Sequence, residues 1–568
     1  MDRIGPRQTN AQNAEERHNL MVQMVQRLMR SGVRADEILP RAKGEVIWRL
    51  LRDGDRQSAA NELEGVISEL RSKYQYSGEA PEIKAAADRG AVMARQRTAF
   101  KPSREYDDGG FLWGTEGLFD LSQPGSGGGA QAEIINTVLQ VKYVKGRYNQ
   151  RAFTSADGAF TPEGCMPSPA NCISKINLDE LASIYRLNNW SMVPMLSADD
   201  SIGQITGDDI ARFADFADWF VSRYKDTARI KYVEMVNDPT RYWKGSTAQL
   251  LKLANMSYDR LKAKYPDIMV GSPGFEYSFD SPDDPETAKM TQMVEYFLDR
   301  KNGAKFDFWA FHGYPALLRG KSVIEIYPPT KVPVYNKYAG VSGIMEIRKR
   351  MDENGWFDRL IIDTEHIGVR PGREKYSVED SMVDASYMAQ QLILKRTVRH
   401  NGSPALNGII TMKIYKKGDT HELWWNSLDE KGEVTPAVGG VGLLINRIRE
   451  FVPSEHISGE YGADNIAWIE KFVSRQGGRE LYVFFKPFKS AEADGPPVSA
   501  EQDKGRKGKM KTSIFRMDGG KTSYLLNLPG IPRSIKLTRL NGDELKLQPG
   551  LAITLTAENE PQLLEVNY

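Results

Sequence analysis

The sequence predicts an α/β fold, a (β/α)8 TIM barrel preceded by a helical segment and followed by a β-sandwich. Between about residues 110 and 452, eight short apolar runs alternate with amphipathic helical patterns, the count and size of a TIM barrel with insertions. Residues 12–75 carry Leu, Met, Ile and Val at helical spacing. From about residue 455, short alternating strands are punctuated by Gly, Asn and Pro, as is typical of a β-sandwich. A doubly wound sheet is the alternative for the middle region, but it would not require eight strands.

These patterns divide the chain into three regions, a helical segment with its linker (1–108), the barrel (109–452) and the sandwich (453–568). The helices of the barrel are amphipathic, as in GDDIARFADFADWFVSRYKD and TAQLLKLANMSYDRLKAKY. The eight predicted barrel strands are, in chain order, GFLWGTEGLF, LQVKYVKGRY, WSMVPMLS, IKYVEMVND, DIMVGSPG, FDFWAFHGY, RLIIDTEHI and GIITMKIYK.

Composition excludes several classes of function. The chain has 76 basic and 75 acidic side chains, a balance that gives no support for a nucleic-acid partner or an anionic membrane surface. No apolar run approaches the roughly 20 residues that span a bilayer. Two Cys and six scattered His form no metal-ligand cluster, and no Gly-rich phosphate loop follows a strand. We therefore expect a neutral partner and neither a metal nor another cofactor.

The two cysteines, Cys165 and Cys172, lie close together in GCMPSPANC. This spacing suits a local disulfide, although a pair of free thiols in a cytosolic loop is the alternative. A bridge would indicate an oxidising compartment. We therefore expect a secreted or periplasmic protein; since the N-terminus has no apolar signal-peptide core, its signal peptide would already be absent.

Polar residues end three of the predicted barrel strands. The fourth strand ends in Asn237-Asp238-Pro239, the sixth is followed by His312 and Tyr314, and the seventh contains Glu365. The active site of a TIM barrel lies at the C-terminal ends of its strands. Two carboxylates facing each other there are what glycoside hydrolysis needs, one to protonate the leaving oxygen and one to attack or stabilise the oxocarbenium-like centre.

These motifs resemble those of the clan A glycoside hydrolases, retaining (β/α)8 enzymes with Asn-Glu-Pro on strand four and a nucleophilic Glu on strand seven. VEMVNDP resembles EVWNEP, IIDTEHIG resembles the nucleophile strand, and DFWAFHGYP is similar to the family's sixth strand. With the C-terminal sandwich, residues 110–568 look most like the β-xylosidase and α-L-iduronidase family, glycoside hydrolase family 39, or its polysaccharide-cleaving relatives.

The resemblance implies a role for each matching residue. Asn237 would bind the sugar 2-hydroxyl, Asp238 would be the acid/base, and Glu365 the nucleophile. His312 and Tyr314 would line the site and hold Glu365. The substrate would be a polysaccharide or oligosaccharide.

Asp238 stands where the family has Glu, and its side chain is shorter by one methylene, or about 1.5 Å of reach. Retaining enzymes hold their carboxyl groups roughly 5–5.5 Å apart and inverting ones roughly 6.5–9.5 Å. Retention, inversion and a carbohydrate-binding or scaffold protein on a catalytically weakened barrel all stay open. Each motif also has a purely structural interpretation, because Asn-Asp-Pro commonly forms a turn, His312 could be a core histidine, and Glu365 could pair with Arg147 after the second strand.

Aromatic residues near the strand ends are candidate stacking platforms for sugar rings. Trp243 follows strand four, and Trp424 and Trp425 follow strand eight. Trp309 lies within strand six, where a core role is the stronger interpretation. Arg147 is a further candidate for substrate binding. The basic residues near the ends of strands two and eight would suit an acidic or sulfated glycan; they are Lys142, Lys145, Arg147, Lys413 and Lys416.

Overall fold

The structure, a computed structural model, contains a closed barrel of eight parallel strands. Each strand pairs with its neighbours in chain order, and the first strand closes the barrel against the eighth. All eight strands predicted from the sequence are present. They are β1 (Leu112–Glu116), β2 (Tyr143–Asn149), β3 (Ser191–Ser197), β4 (Tyr232–Asn237), β5 (Met269–Glu276), β6 (Phe308–His312), β7 (Leu360–His366) and β8 (Gly408–Thr411).

Several features predicted from the sequence lie outside the residues that the structure describes. They are the N-terminal helices, Tyr314, Trp424, Trp425 and Cys172. In the described part of the chain, no helix is long and apolar enough to cross a membrane. The described residues are 110–117, 132, 134–166, 174–198, 205–276, 285–313, 340–366, 378–411, 415–416, 426–428, 435–459, 466–488, 490–491, 514–515 and 520–568.

Helices connect the strands along the described chain. The two amphipathic helices singled out in the sequence are Gly207–Tyr224 and Thr247–Lys264. Each begins with a capping box, formed by Thr206 with Asp209 in the first and by Ser246 with Gln249 in the second. A capping box satisfies backbone N–H groups of the first turn. The helices are α1 (Leu178–Leu187), α2 (Gly207–Tyr224), α3 (Pro239–Tyr242), α4 (Thr247–Lys264), α5 (Pro285–Leu298), α6 (Gly340–Glu353), α7 (Val378–Thr397) and α8 (Pro436–Ile448).

The barrel has two apolar layers. The larger one lies between strands and helices and includes the apolar face of α2, which consists of Ile210, Phe213, Phe216, Ala217, Phe220, Val221 and Tyr224. A separate small cluster joins side chains of five strands, and we place it inside the barrel because it is not continuous with the helix layer. Its buried members are Leu112, Val193, Phe308, Ala310, Ile362 and Ile410. Most of them come from the first half of their strands, so apolar side chains fill the lower part of the barrel and leave the C-terminal ends for polar ones.

Two antiparallel sheets of the C-terminal region share a common core among the described residues. The larger sheet has the order β9-β10-β11-β16-β13-β14, and β12 pairs with β15 in the smaller one. Both contribute to the core, for example through Phe484 and Leu564 from the large sheet and Leu555 from the small one. This confirms the predicted sandwich. Its strands are β9 (Phe451–Ser458), β10 (Trp468–Ser474), β11 (Arg479–Phe485), β12 (Thr522–Asn527), β13 (Ser534–Arg539), β14 (Glu544–Leu547), β15 (Ala552–Ala557) and β16 (Gln562–Asn567).

One buried side chain of the barrel joins it to the sandwich. The Gln390 amide, on α7, donates to the carbonyls of Lys486 (3.1 Å) and Asn559 (2.7 Å) and accepts from the backbone N–H of Phe488 (3.2 Å). A buried amide left without partners is costly. These bonds therefore fix α7 against the loops that follow β11 and β15.

Candidate active site

The end of β4 bends through two unusual backbone conformations. Val236 and Asp238 have φ of 53° and 37°, a left-handed region that is rare for a β-branched residue. The pairing of β4 with β5 also shifts register on both sides of Met235. Such conformations cost of order 1–3 kcal/mol each and cluster at functional sites. The bend turns the buried Asp238 carboxylate into the barrel mouth, where Asn237 Nδ2 donates to its Oδ2 at 3.0 Å.

The end of β7 carries Glu365, which is fully buried and contacts two cations of β2. Its Oε1 lies 3.1 Å from Lys145 Nζ and 2.5 Å from Arg147 Nη2. Arg147 also donates from Nε to Glu116 at the end of β1, at 2.8 Å. The predicted pairing of Glu365 with Arg147 is therefore present, inside the barrel mouth and beside the other site residues.

His312, at the end of β6, connects the two carboxylates. Its Nδ1 lies 2.7 Å from Asp238 Oδ1 and 3.5 Å from Glu365 Oε2, and its Nε2 lies 2.9 Å from Glu234 Oε1. When the carboxylates that face the two ring nitrogens are ionised, both nitrogens donate and the ring is an imidazolium. Burial alone would lower the pKa of His312, but Glu365 and Asp238 outweigh it and raise the pKa to about 10.

Asp238, His312 and Glu365 are close enough to share one ligand. One ligand atom of each lies within 4.8 Å of the others, a grouping that could hold a metal ion. However, Lys145 and Arg147 already contact Glu365, and both nitrogens of His312 already face carboxylates. In this arrangement protein cations compensate the negative charge where a metal would otherwise do so.

Lys145 and Glu234 form an ion pair beneath these residues, with Nζ 3.1 Å from Oε2 and both side chains buried. Burial opposes ionisation of each group, but Glu234 and Glu365 outweigh it and raise the pKa of Lys145, and Lys145 and His312 outweigh it and lower the pKa of Glu234. Lys145 is thus occupied by internal carboxylates, so the suggestion that it faces an acidic glycan is wrong. A charged residue inside an apolar strand must find a buried partner. This rule is the sequence signal that could have predicted the buried pairing of Lys145 and Glu234.

A third carboxylate of the mouth, Glu276, is the last residue of β5 and pairs with Arg241 at 2.8 Å. Arg241 lies in α3, the short helix that follows Asp238. The sequence makes Glu276, together with Glu234, the next candidate for the acid if Asp238 is not the acid, and it gives Arg241 no role. The pair joins the turn after Asp238 to the neighbouring strand.

Trp243 is not a stacking platform. It is buried in the core, and its indole N–H donates to the Ser246 carbonyl at 3.0 Å. A tryptophan that follows a strand can face the site or pack inwards; here the capped start of α4 draws it inwards. Trp309 is a core residue, as the sequence favoured, and stacks on Phe275.

The fold and the position of this site define a (β/α)8 barrel with a β-sandwich and a buried charged cluster at its C-terminal mouth. Among solved structures, a family 39 glycoside hydrolase from Bacteroides cellulosilyticus WH2 aligns with a TM-score of 0.54 and 14% identity, over 81% of this chain and 82% of its own. A glucosidase from Croceicoccus marinus aligns with a TM-score of 0.49 and 13% identity, over 80% and 96%. No protein-family model and no curated protein matches the sequence. The first similarity confirms the expected fold, and at this identity it extends to the fold alone.

Proposed function

We propose that this protein is a retaining glycoside hydrolase in which Glu365 is the nucleophile and Asp238 the general acid and base. The observation that carries the proposal is the separation of the two carboxylates, whose facing oxygens lie within 4.8 Å of each other across the barrel mouth. Retaining enzymes place these groups roughly 5–5.5 Å apart, whereas inverting ones need roughly 6.5–9.5 Å to admit a water. The bend at the end of β4 compensates for the shorter side chain of Asp238.

In the first step, Glu365 attacks the anomeric carbon while Asp238 protonates the departing glycosidic oxygen. Contacts with Lys145 and Arg147 favour the ionised form of Glu365. Asp238 accepts hydrogen bonds at both oxygens, from Asn237 and His312. We infer that the proton reaches Asp238 from His312 Nδ1, and that the resulting neutral imidazole still donates from Nε2 to Glu234.

In the second step, water attacks the glycosyl-enzyme ester. Asp238, now a carboxylate, removes a proton from this water, and Glu365 leaves as a carboxylate. The proton on Asp238 can then return to His312, which restores the starting state. Asn237 is in position to contact the sugar 2-hydroxyl expected from the sequence resemblance, because it precedes Asp238 in the same bend.

The stereochemistry of the first product tests this proposal. The protein is assayed with aryl glycosides of several sugars, and the anomer formed first is identified by proton NMR. Retention is expected, and Glu365→Gln should abolish turnover because an amide cannot act as the nucleophile. Glu346→Gln, which alters a carboxylate on α6 that pairs with Arg350, is the matched control and should keep wild-type rates.

The alternative is a carbohydrate-binding or scaffold protein on a catalytically weakened barrel. The shorter Asp238 favours it, because proton donation then depends on a strained backbone. Glycan-array binding without release of reducing sugar would support this alternative and contradict the proposed hydrolase. Inversion with turnover would reject the retaining mechanism alone.

We also propose that the protein is secreted or periplasmic and contains a disulfide between Cys165 and Cys172. Cys165 lies in a hairpin of strands Glu163–Met166 and Ser174–Asn177, where it faces Lys175. Cys172 lies three positions before Lys175 in the chain, and this short separation supports the bridge to Cys165. Thiol titration of the unfolded, unreduced protein should find no reactive thiol, and two thiols would contradict the bridge.

A further inference from the structure

A bulge in β7 separates Glu365 from its neighbours. Asp363 pairs with Ile409 of β8 and His366 pairs with Thr411, so three steps along β7 match two along β8. A strict two-residue alternation would place Asp363 and Glu365 on one face of the sheet. Instead Glu365 contacts Lys145 inside the barrel, while Asp363 contacts Lys395 of α7 outside it. Bulges of this kind redirect side chains next to active sites.

Lys395 holds both flanks of this bulge. Its ammonium contacts the Asp363 carboxylate before the bulge and lies 2.7 Å from His366 Nδ1 after it. All three side chains are fully buried. Asp363 keeps a depressed pKa, because Lys395 and His366 outweigh the opposing effect of burial, and burial together with Lys395 lowers the pKa of His366. A carboxylate and a neutral imidazole thus face one buried ammonium.

The same ammonium also binds the end of β6. Lys395 contacts the carbonyl of Gly313, the residue after His312, and the Gly313 N–H donates to Asp363 Oδ1 at 2.9 Å. A Cβ at position 313 would lie 2.7 Å from both Lys395 Nζ and Asp363 Oδ2, so the contact requires glycine. The three N–H donors of an ammonium thereby meet three acceptors. Lys395 has no donor left for a ligand, which argues for a holding role.

We propose that Lys395 is a positioning residue that fixes the bulge of β7 against the end of β6, and so aims the Glu365 carboxylate at the reaction centre beside His312. The catalytic part of this inference rests on the proposed function. Lys395 is separated from the barrel interior by the strands and does not touch substrate. Its effect reaches the site through the backbone of residues 363–366 and 312–313.

The test compares two variants that lack Lys395 with a control variant that lacks another lysine with similar contacts. Lys395→Met alone leaves Asp363 buried without its cation, so the double variant Lys395→Met/Asp363→Asn is included to keep a folded protein. Lys262→Met is the control, because Lys262 also binds two carbonyls and an aspartate, Pro266, Ile268 and Asp307. These contacts lie before the N-terminal ends of β5 and β6, away from the mouth.

We expect the double variant to lose about 100-fold in kcat on an aryl glycoside, since a displacement near 1 Å costs about that much. KM should change by less than about threefold, because the sugar-binding surface is untouched. The crystal structure should show Glu365 withdrawn from Lys145 and β7 in a changed register with β8. Lys262→Met should keep wild-type kcat even where its melting temperature falls.

A kcat within about twofold of wild type in the folded double variant would overturn the proposal, as would an unchanged bulge with Glu365 still on Lys145. If the wild-type protein cleaves no glycoside, the proposed function fails, but the crystal structure of the double variant still decides whether Lys395 holds the bulge.

Discussion

The ends of β4 and β7 carry the two carboxylates of the site and hold them differently. Glu365 on β7 contacts two cations, Lys145 and Arg147, and the strand behind it is fixed by Lys395. Asp238, the residue after β4, lies in a bent backbone, and its carboxylate accepts hydrogen bonds from a histidine and from the amide of the preceding residue. A nucleophile has to stay ionised and still, while a general acid and base has to gain and lose a proton. The two environments suit these two tasks.

The strongest test of the different roles of Asp238 and Glu365 is to remove each carboxylate in turn and to supply azide. Asp238→Ala should lose about 10²–10⁴-fold on a glycan with a poor leaving group. On an activated aryl glycoside, which needs no protonated leaving group, the Glu365 ester should still form, and azide should then accelerate turnover and give a glycosyl azide of retained configuration. Glu365→Ala with azide should give the inverted configuration instead. Product NMR distinguishes the two, and the same configuration from both variants would contradict the assignment.

A second prediction concerns the cations around Glu365. Lys145→Met would leave Glu234 and Glu365 buried beside one cation fewer, so the free energy of unfolding should fall by about 3–5 kcal/mol. Urea unfolding measures this, and adding Glu234→Gln should recover part of the loss. Arg223→Met, which breaks the exposed pair with Asp179, is the control and should change stability by less than about 1 kcal/mol. Equal losses of unfolding free energy in Lys145→Met and Arg223→Met would mean that the buried ion pair stabilises the protein no more than the exposed one.

The variant Asp238→Glu tests whether the bend at the end of β4 compensates for the shorter side chain of Asp238. The longer side chain restores the residue type of the resembling family, but in this bend it would press on His312. We expect about a tenfold fall in kcat/KM, since an added methylene in a packed site costs at least about 1 kcal/mol. A gain in activity would show that the bend does not compensate for the shorter side chain.

A further prediction concerns the pH dependence of stability. The pKa of His312 is raised to about 10, against about 6.5 in an unfolded chain. Its stabilising contribution is therefore complete below about pH 6.5 and is lost as the pH rises towards 10, with a slope of at most about 1.4 kcal/mol per pH unit. The difference in unfolding free energy between wild type and His312→Gln should shrink over this range, and a constant difference would contradict the charged imidazole.

The sequence predicted the eight strands because each is a short apolar run, and it located Asp238, His312 and Glu365 because polar residues follow those runs at strand ends. The bulge of β7 could not be predicted, since its extra residue shows only in the pairing with β8. Lys395 lies at the end of an ordinary helical pattern, where a basic residue is expected on a solvated face. Trp243 was misassigned because residue type alone does not tell a platform from a core side chain.

The helix that supplies Lys395 also supplies Gln390, whose amide forms three hydrogen bonds with backbone groups after β11 and β15. Cutting the chain after the barrel, at about residue 452, would expose this face of α7 to water and remove the three hydrogen bonds that hold Gln390. Because Lys395 lies little more than one helical turn further along α7, the damage would reach the bulge that aims Glu365. The barrel should therefore not be expressed alone; a shortened version of the protein has to keep the sandwich.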